Sequence, residues 1–252
     1  MRFASLGSGS RGNATLVEAD DSCVLVDCGF SLRETVRRLA LLGRAPEDLT
    51  AILVTHEHGD HLRGVATLAR RYGLPVYATP GTARGETIAE LTTLCPVDLR
   101  QSFAVGALDV LPVAVPHDAR EPCQYVFRHR GRTLGVLTDL GCVTPQVQDS
   151  YRQCDALMLE CNHDVAMLAT GPYPAFLKRR VGGDFGHLNN LQAAGLLAAL
   201  EQARLQHLVL SHISEKNNTR QRAEAAVQAV LTTRVSVFSA DQASGFAWRE
   251  IV

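Results

Sequence analysis

The spacing of hydrophobic residues in the first part of the chain alternates between two periods. Short apolar runs with strand character recur here, each bounded by polar or small residues. They occupy 2–6, 14–18, 23–27 and 51–55. Between them, apolar positions from Ser31 to Leu42 recur every three or four residues, which predicts an amphipathic helix capped by Ser31 and ended by Gly43. Helical spacing returns over 62–73, so this part predicts strands that feed helices.

Strand-like runs continue through the middle of the chain, and the last third returns to alternation. These strands are predicted at 103–116, 124–138, 156–160, 207–211 and 235–239. RHRGR (128–132) is typical of a hairpin turn, and helical spacing covers 188–204 and 219–231. Two strand-rich halves with helices outside them indicate an α/β protein with four layers, αββα. No low-complexity linker, short repeat or break in composition interrupts 1–252, so we expect one domain.

Composition describes a globular chain and excludes a broad cationic surface. The 252 residues are 46% hydrophobic and 20% charged, which excludes disorder and fibre. Lysine and arginine number 25 against 26 aspartate and glutamate residues. A polyanionic ligand would therefore have to be held by a local group of residues.

Cysteine usage and the N-terminus predict a cytoplasmic location. The seven cysteines are an odd number, form no CxxC pair and lie mostly inside apolar runs, as reduced buried thiols do. The opening MRFASLGSGSRGN lacks the charge and apolar pattern of a signal peptide, and no window of 18 uncharged apolar residues occurs. We expect no secretion and no membrane contact.

The strongest chemical signal is the run HEHGDH, directly after the strand AILVT. It places four potential metal ligands within six residues: His56, His58, Asp60 and His61. Imidazole and carboxylate groups are ligands of divalent cations, and a turn at a strand end can aim them at one point. The alternative is a polar helix start with one or two hydrogen-bonded histidines, which does not account for the density of this run.

Three further candidate ligands follow predicted strands. They are His117 in VAVPHDA, Asp139 in LGVLTDLG and His212 in LVLSHIS. A lone histidine at a strand end is usually a solvated residue, but sheet edges can bring distant positions together. With the HEHGDH run, these residues predict one metal centre at one edge of the two sheets.

These motifs resemble the metallo-β-lactamase-fold hydrolases, whose pattern also includes Asp27 in VLVDCG. The resemblance implies two divalent ions. Its implied ligands are His56, His58 and His117 for one ion and Asp60, His61 and His212 for the other, with Asp139 bridging. Asp27 would lie behind the site and hold the loop and a ligand histidine. Zinc, manganese and iron all accept such ligands, so the metal's identity stays open.

The resemblance also implies a role for Asp60 in the reaction. Two adjacent divalent ions can clamp a phosphate, activate a bridging water and stabilise the leaving oxygen. In the family, the carboxylate at the position of Asp60 contacts the attacking water, which implies a ligand that also acts as an orienting base. The alternative is that Asp60 is a ligand alone.

A histidine outside these motifs bears on the substrate. In DFGHLNNLQAAGLL, His187 opens a helix 25 positions before His212. This is similar to transfer-RNA 3′-processing ribonucleases and cyclic-phosphate phosphodiesterases, which implies that His187 is the proton donor and that Glu160 orients it. A phosphodiester needs more help at its leaving group than a thioester does. The alternative is a histidine that caps its helix or binds a backbone carbonyl.

Further stretches resemble a narrower branch, the YycJ/WalJ-like proteins associated with 5′-to-3′ exonuclease activity. The stretches are GSGSRGN, VPHDAREP, ECNHD and SHISEKNN, spread over the whole chain. The sequence departs from this branch at Asn189, where serine is expected, and at Ile213, where leucine is expected. Neither residue is an expected ligand.

Substrate contacts are predicted from small polar and basic residues near these motifs. The candidates are Ser10, Arg11, Asn13, Asn162, Lys178, Arg179 and Arg180. The glycine-rich loop around Ser10 offers backbone donors to a phosphate, although such loops are more often simple turns. The basic residues could neutralise a few phosphates or form an ordinary solvated face. The role of His163 stays open.

The sequence therefore predicts a cytoplasmic dinuclear metallohydrolase that cleaves phosphodiester bonds, as an exonuclease acting on DNA or RNA. Its alternatives within enzymes are a cyclic-nucleotide or other small phosphodiesterase and a thioesterase-type hydrolase. Outside hydrolases, the alternative is a metal-binding redox protein. Polarity of cleavage and oligomeric state are not predicted.

Overall fold

The computed structural model describes residues 1–85 and 87–252, which form two β-sheets flanked by helices. The strands are β1 (Arg2–Gly7), β2 (Ala14–Ala19), β3 (Ser22–Val26), β4 (Ala51–Leu53), β5 (Val76–Ala78), β6 (Leu94–Pro96), β7 (Phe103–Val105), β8 (Leu108–Ala114), β9 (Cys123–His129), β10 (Arg132–Leu137), β11 (Ala156–Glu160), β12 (His207–Ser211), β13 (Ser236–Ser239) and β14 (Phe246–Glu250). The helices are α1 (Leu32–Leu41), α2 (Gly59–Leu62), α3 (Val65–Tyr72), α4 (Pro145–Ser150), α5 (Val165–Thr170), α6 (Ala175–Val181), α7 (Asn190–Ala199) and α8 (Arg220–Gln228).

Each sheet contains seven strands, and the two sheets follow the same plan. Their orders are β14-β1-β2-β3-β4-β5-β6 and β13-β12-β11-β10-β9-β8-β7. In the first sheet β3 to β6 are parallel, and in the second β10 to β13 are parallel. The other neighbours in each sheet are antiparallel. Parallel strands end at the same edge of their sheet, so the loops after them meet there.

Three hydrophobic clusters separate the four layers. Along β3, Val24 and Val26 belong to the cluster between the sheets, whereas Cys23 and Leu25 belong to the cluster under α1 and α3. A third cluster joins the outer face of the second sheet to α4, α7 and α8. Because both faces of the central strands are buried, their sequences are continuous apolar runs. The predicted four-layer αββα arrangement is confirmed.

The cluster between the sheets combines distant parts of the chain. It includes Phe3 near the N-terminus, Tyr125 in β9 and Ile251 after β14. We propose on this basis that residues 1–252 form one domain, since these segments share a single core. Among the described residues, no helix combines the length and apolar character needed to cross a bilayer.

Most predicted elements agree with the structure, including the start of α1. The Ser31 hydroxyl accepts a hydrogen bond from the Glu34 N–H at 3.4 Å, as expected of an N-cap. The helix predicted over 62–73 is α3, which begins only at Val65, because Leu62 ends the separate helix α2. Gly64 separates them, and a Cβ there would lie 2.1 Å from the Phe30 carbonyl oxygen. This close approach lets the chain turn after the HEHGDH run.

Other differences reflect local turns and very short strands. The strand predicted over 103–116 is interrupted at Gly106, whose φ of +57° makes the turn between β7 and β8. The helix predicted over 188–204 ends at Ala199 and is followed by a 3-10 turn over Gln202–Arg204. The three-residue strands β5 and β6 were not predicted, because such short segments carry no measurable periodicity.

We expect Phe127→Ala to lower the free energy of unfolding by about 3–5 kcal/mol, because it leaves a cavity between the sheets. Phe176→Ala removes the same side chain at a position that is 65% exposed and should change stability by less than about 0.5 kcal/mol. Urea unfolding of both variants measures the difference. Equal losses would contradict the assigned core.

Candidate metal centre

The strand ends bring the predicted ligands to one edge of the molecule. In the first sheet, the loop after β3 carries Asp27 and the loop after β4 carries the HEHGDH run. In the second sheet, Asp139 follows β10 and His212 follows β12. Strand β8 runs parallel to β10, since both are antiparallel to β9, and His117 follows it. Sheet topology alone therefore explains why these distant residues meet.

The backbone at three of these strand ends is left-handed. The φ angles are 60° at Asp27, 54° at Asp139 and 51° at His212. Residues with a Cβ rarely adopt this conformation, and such strain concentrates at functional sites. Here it turns each side chain out of its strand toward the shared edge.

One group of donors consists of His56, His58 and His117. His58 Nδ1 lies 3.0 Å from His56 Nε2 and 3.2 Å from His117 Nε2. Nitrogens that share a tetrahedral zinc ion at about 2.0–2.1 Å would lie about 3.3 Å apart. The spacing of the three imidazoles therefore fits a cation between them.

A second group consists of Asp60, His61 and His212. Asp60 Oδ2 lies 3.6 Å from both His61 Nε2 and His212 Nε2. Asp139 reaches this group with both oxygens, since Oδ2 is 3.2 Å from His61 Nε2 and Oδ1 is 3.5 Å from His212 Nε2. Asp139 also forms a compact donor set with His56 and His61. It thus lies between the two groups, where a bridging ligand would be needed.

Two donor atoms of the cluster are buried without a hydrogen-bond partner among the described residues. Asp139 is 2% exposed and His212 is 4% exposed, yet Asp139 Oδ2 and His212 Nε2 make no hydrogen bond. Leaving a buried polar atom unpaired is costly, so such atoms indicate a missing ligand. Imidazole and carboxylate donors in this number fit divalent cations.

Hydrogen bonds behind the ligands fix which nitrogen faces the centre. Asp27 accepts from the Thr55 N–H and the Thr55 hydroxyl, both at 2.8 Å, and its Oδ2 lies 2.7 Å from His61 Nδ1. Because the Thr55 hydroxyl donates to Asp27, it can only accept from His56 Nδ1, at 2.9 Å. His117 Nδ1 donates to the Gly186 carbonyl at 2.9 Å. In all three histidines Nε2 is then the nitrogen that faces the centre.

The carboxylates of the cluster favour positive charge on a neighbouring histidine. Burial alone would lower the pKa of His61, but the charges of Asp139 and Asp27 outweigh it and hold that pKa well above its usual value. For His56, burial lowers the pKa, and the neighbouring His61 adds to the effect. A bound cation would replace the proton on His61 as the partner of the carboxylates.

His187 and Glu160 form a pair beside the second donor group. His187 Nδ1 lies 2.7 Å from Glu160 Oε1, and Glu160 Oε2 accepts from the N–H groups of Leu140 and Leu188 at 3.2 Å and 2.9 Å. Burial raises the pKa of Glu160, but the charge and hydrogen bond of His187 outweigh it and lower that pKa to about 2. Glu160 is therefore a fixed carboxylate that holds His187 in one orientation.

The cleft above these residues has a volume of about 360 Å³. Three of the predicted substrate residues, Ser10, Asn162 and Arg180, line it. Arg180 pairs with Asp118, which lies 3.7 Å from His58 Nε2. A side chain that lines a cleft and is held by an exchangeable ion pair is well placed to meet an anionic ligand.

The structure places several of the predicted substrate residues in contacts with the protein. Arg11 pairs with Glu215 at 2.6 Å, and Lys178 Nζ donates to the Ala169 carbonyl at 2.7 Å. Asn162 is buried and donates to the His212 carbonyl at 3.0 Å, although it also lines the cleft. Asn13 is buried as well, with Nδ2 3.0 Å from His61 Nε2.

Arg179 is exposed, and it has no ion pair among the described residues and does not line the cleft. His163 belongs to none of the donor groups found among the described residues. Burial lowers the pKa of its ring to about 4, and its carbonyl accepts from the Asn190 N–H at 2.9 Å. His163 thus helps to attach the loop after β11 to α7.

Sequence reasoning missed three residues of the site: Thr55, Asp118 and Tyr173. Thr55 and Asp118 each adjoin a predicted ligand, His56 and His117, which was a usable signal. Tyr173 lines the cleft from the loop before α6, and nothing in the local sequence marked it.

Comparison with known proteins places the chain in a family. Residues 23–213 match the model described as "Beta-lactamase superfamily domain". The chain belongs to this superfamily. It is 37% identical to exodeoxyribonuclease YycJ of Bacillus anthracis, over 92% of this chain and 89% of the relative. It is 35% identical to exodeoxyribonuclease WalJ of Streptococcus pneumoniae, over 88% and 84%.

A solved structure has the same fold. The metallo-beta-lactamase fold protein YhfI from Bacillus subtilis superposes with a TM-score of 0.75, covering 99% of both chains at 19% identity. The expected metallo-β-lactamase fold and the resemblance to the YycJ/WalJ branch are confirmed. The departure at Asn189 is structural, because its side chain caps α7 by accepting from the N–H groups of Leu191 and Gln192, each at 2.9 Å.

We expect Asp27→Asn to weaken divalent-metal affinity by about 10- to 100-fold. The oxygen of the new amide would still accept from the Thr55 N–H, so the NH₂ group of the amide would face His61 Nδ1. The ring proton of His61 would then move to Nε2, the nitrogen that faces the centre. Metal titration with a competing chelator measures the change. Asp20→Asn is the matched control, since Asp20 also has a positive φ but lies in the β2–β3 turn. Unchanged affinity in Asp27→Asn would contradict the role of Asp27.

Proposed function

We propose that this protein is a metal-dependent hydrolase that cleaves phosphodiester bonds of nucleic acid from an end. The observation that carries this proposal is the His187–Glu160 pair beside the donor cluster. Both relatives reported above are named exodeoxyribonucleases, which supports DNA as the substrate. The resemblance to their branch supports 5′-to-3′ cleavage.

In this proposal two divalent cations, zinc, manganese or iron, bind the two donor groups. His56, His58 and His117 would hold one and Asp60, His61 and His212 the other, with Asp139 shared. When bound, such ions supply an activated water and positive charge against the phosphate oxygens. Asp60 is the most exposed carboxylate of the cluster, at 23% of its side chain, so it is placed both to bind and to orient a water.

His187 supplies the proton that the leaving oxygen needs. Glu160 occupies Nδ1, so Nε2 is the nitrogen that serves the cleft, which His187 lines. The negative charge of Glu160 favours the protonated ring, which is the form that a general acid requires. The helix-cap alternative does not fit, because Asn189 caps α7.

The shape of the cleft favours a chain end over an internal position in a duplex. Its volume of about 360 Å³ lies near the lower end of small-molecule pockets, which run from about 300 to 1,000 Å³. The donor atoms of His61, Asp139 and His212 are buried beneath it, at 0%, 2% and 4% exposure. We infer that a single strand brings its scissile phosphate to them more readily than a duplex does.

The cysteines support the predicted cytoplasmic location. All seven are free, and five of them are buried. Burial raises the pKa of the Cys123 thiol to about 12, which keeps it in the unreactive form. Such thiols suit a reducing compartment.

We expect His187→Ala to slow cleavage of an oligonucleotide by about two to four orders of magnitude, the usual contribution of a general acid. The loss should be much smaller on bis(p-nitrophenyl) phosphate, because p-nitrophenolate leaves without a proton. Steady-state kinetics on both substrates measure the split, and metal analysis shows whether the ligands are intact.

His207→Ala is the matched control, since His207 lies at the opposite end of β12 from His212. It should leave both rates unchanged. If His187→Ala lost equal activity on both substrates, the role of His187 as proton donor would be contradicted. Activity of the unaltered protein on an acyl-thioester or a 2′,3′-cyclic nucleotide, with none on oligonucleotides, would overturn the nuclease proposal.

A further inference from the structure

The proposed reaction does not use the aromatic side chains around α6. Phe176 is 65% exposed and Phe185 is 64% exposed, and Tyr173 lines the cleft. Large apolar side chains that are exposed close together mark interaction sites more often than isolated ones do. Their position near the cleft raises the question of what they bind.

Helix geometry places Phe176 at the mouth of the cleft. Residues three and four apart share a helix face, so Phe176 lies beside Arg179 and Arg180. Arg180 itself lines the cleft, together with Leu177 and Val181 from the same helix. We infer that Phe176 and Arg179 lie just outside the cleft, next to Arg180 in its lining.

Phe185 lies in the loop after α6, next to a residue that lines the cleft. The next residue, Gly186, lines the cleft and its carbonyl accepts from His117 Nδ1. A Cβ at Gly186 would lie 2.2 Å from the carbonyl oxygens of Arg180 and Val181, so this loop packs directly against the end of α6. We infer from these neighbours that Phe185 and Phe176 lie near the same end of the cleft.

The charge around these aromatic residues is positive. Between residues 173 and 187 the sequence has three basic residues, Lys178, Arg179 and Arg180, and one acidic residue, Asp184, while Asp118 pairs with Arg180 from outside this segment. The chain as a whole carries a net charge of −1, so this excess is local. An aromatic surface among cations complements a ligand that has flat rings and a negative backbone.

We propose that Tyr173, Phe176, Phe185 and Arg179, here called the α6 platform, bind a single-stranded segment of nucleic acid that leads into the cleft. The bases stack on the aromatic rings, while Arg179 contacts the backbone. A duplex buries the faces of its bases in its own stack, so it cannot use such a surface. The proposal rests on the proposed function and specifies its substrate as a single strand or a duplex with a single-stranded tail.

The test uses an oligonucleotide with 2-aminopurine in its single-stranded tail, because stacking on a protein ring quenches this base. Binding is measured in a His187→Ala background, so that the oligonucleotide is not consumed. The added pair of substitutions Phe176→Ala and Phe185→Ala should weaken binding of the tailed substrate by about 10- to 100-fold and abolish the quenching. Binding of a blunt duplex should change far less.

Leu41→Ala is the matched control, since Leu41 is 72% exposed at the end of α1. It should bind the tailed substrate as the His187→Ala background does. If the double phenylalanine variant also binds like this control, the α6 platform is overturned. Equal weakening on tailed and blunt substrates would overturn the single-strand specificity.

Kinetics separate failure of the platform from failure of the proposed function. With His187 unchanged, the variant that combines Phe176→Ala and Phe185→Ala should lose about tenfold more kcat/KM on the tailed oligonucleotide than on bis(p-nitrophenyl) phosphate. Equal losses contradict the platform while the phosphodiesterase stands. No turnover of any phosphodiester by the unaltered, metal-loaded protein contradicts the proposed function itself.

Discussion

The burial of histidine and carboxylate side chains at one edge of two sheets is the constraint on which this structure depends. Asp139 lies at the centre of this cluster, within 3.5 Å of donor atoms on His61, His187 and His212. Charges taken out of water are costly unless they are paired, and Asp139 Oδ2 has no hydrogen bond. Cations between the donor groups would satisfy this cluster, and the superfamily to which the chain belongs matches that requirement.

The sheets make this arrangement possible because they fix the strand ends from which the ligands project. Both sheets have parallel strands in the half that carries the ligands, so loops of separate segments meet. The hydrogen bonds of Asp27 and Thr55 then set the ring nitrogens, and left-handed backbone at Asp27, Asp139 and His212 aims the side chains. The hydrophobic layers on both faces hold these strained positions in place.

The sequence allowed prediction of those features that short stretches encode. The HEHGDH run, the histidines and aspartates at strand ends, and apolar periodicity in α1 and β3 are local signals. Features that depend on distant partners were not accessible. The ion pair of Arg11 is one example, since its partner Glu215 lies 204 positions along the chain.

The pairing of the edge strand β14 and the exposure of aromatic side chains were also not predicted. Strand β14 joins the first sheet by pairing with β1, at the opposite end of the chain. Phe176 and Phe185 look like ordinary apolar positions until the structure shows them exposed beside the cleft. For the same reason Lys178, Arg179 and Arg180 could not be told apart in the sequence, whereas in the structure Arg180 alone among them lines the cleft.

The central claim is that a buried pair of cations, held by this cluster, makes the protein a nuclease that works from strand ends. Its most direct measurement is the hydrolysis of an end-labelled DNA strand by protein stripped with a chelator and then titrated with zinc or manganese. The account predicts no cleavage by the stripped protein, recovery that is complete at two equivalents of metal, and release of nucleotides from one end. Undiminished cleavage in chelator, or cuts scattered through the strand, would contradict it.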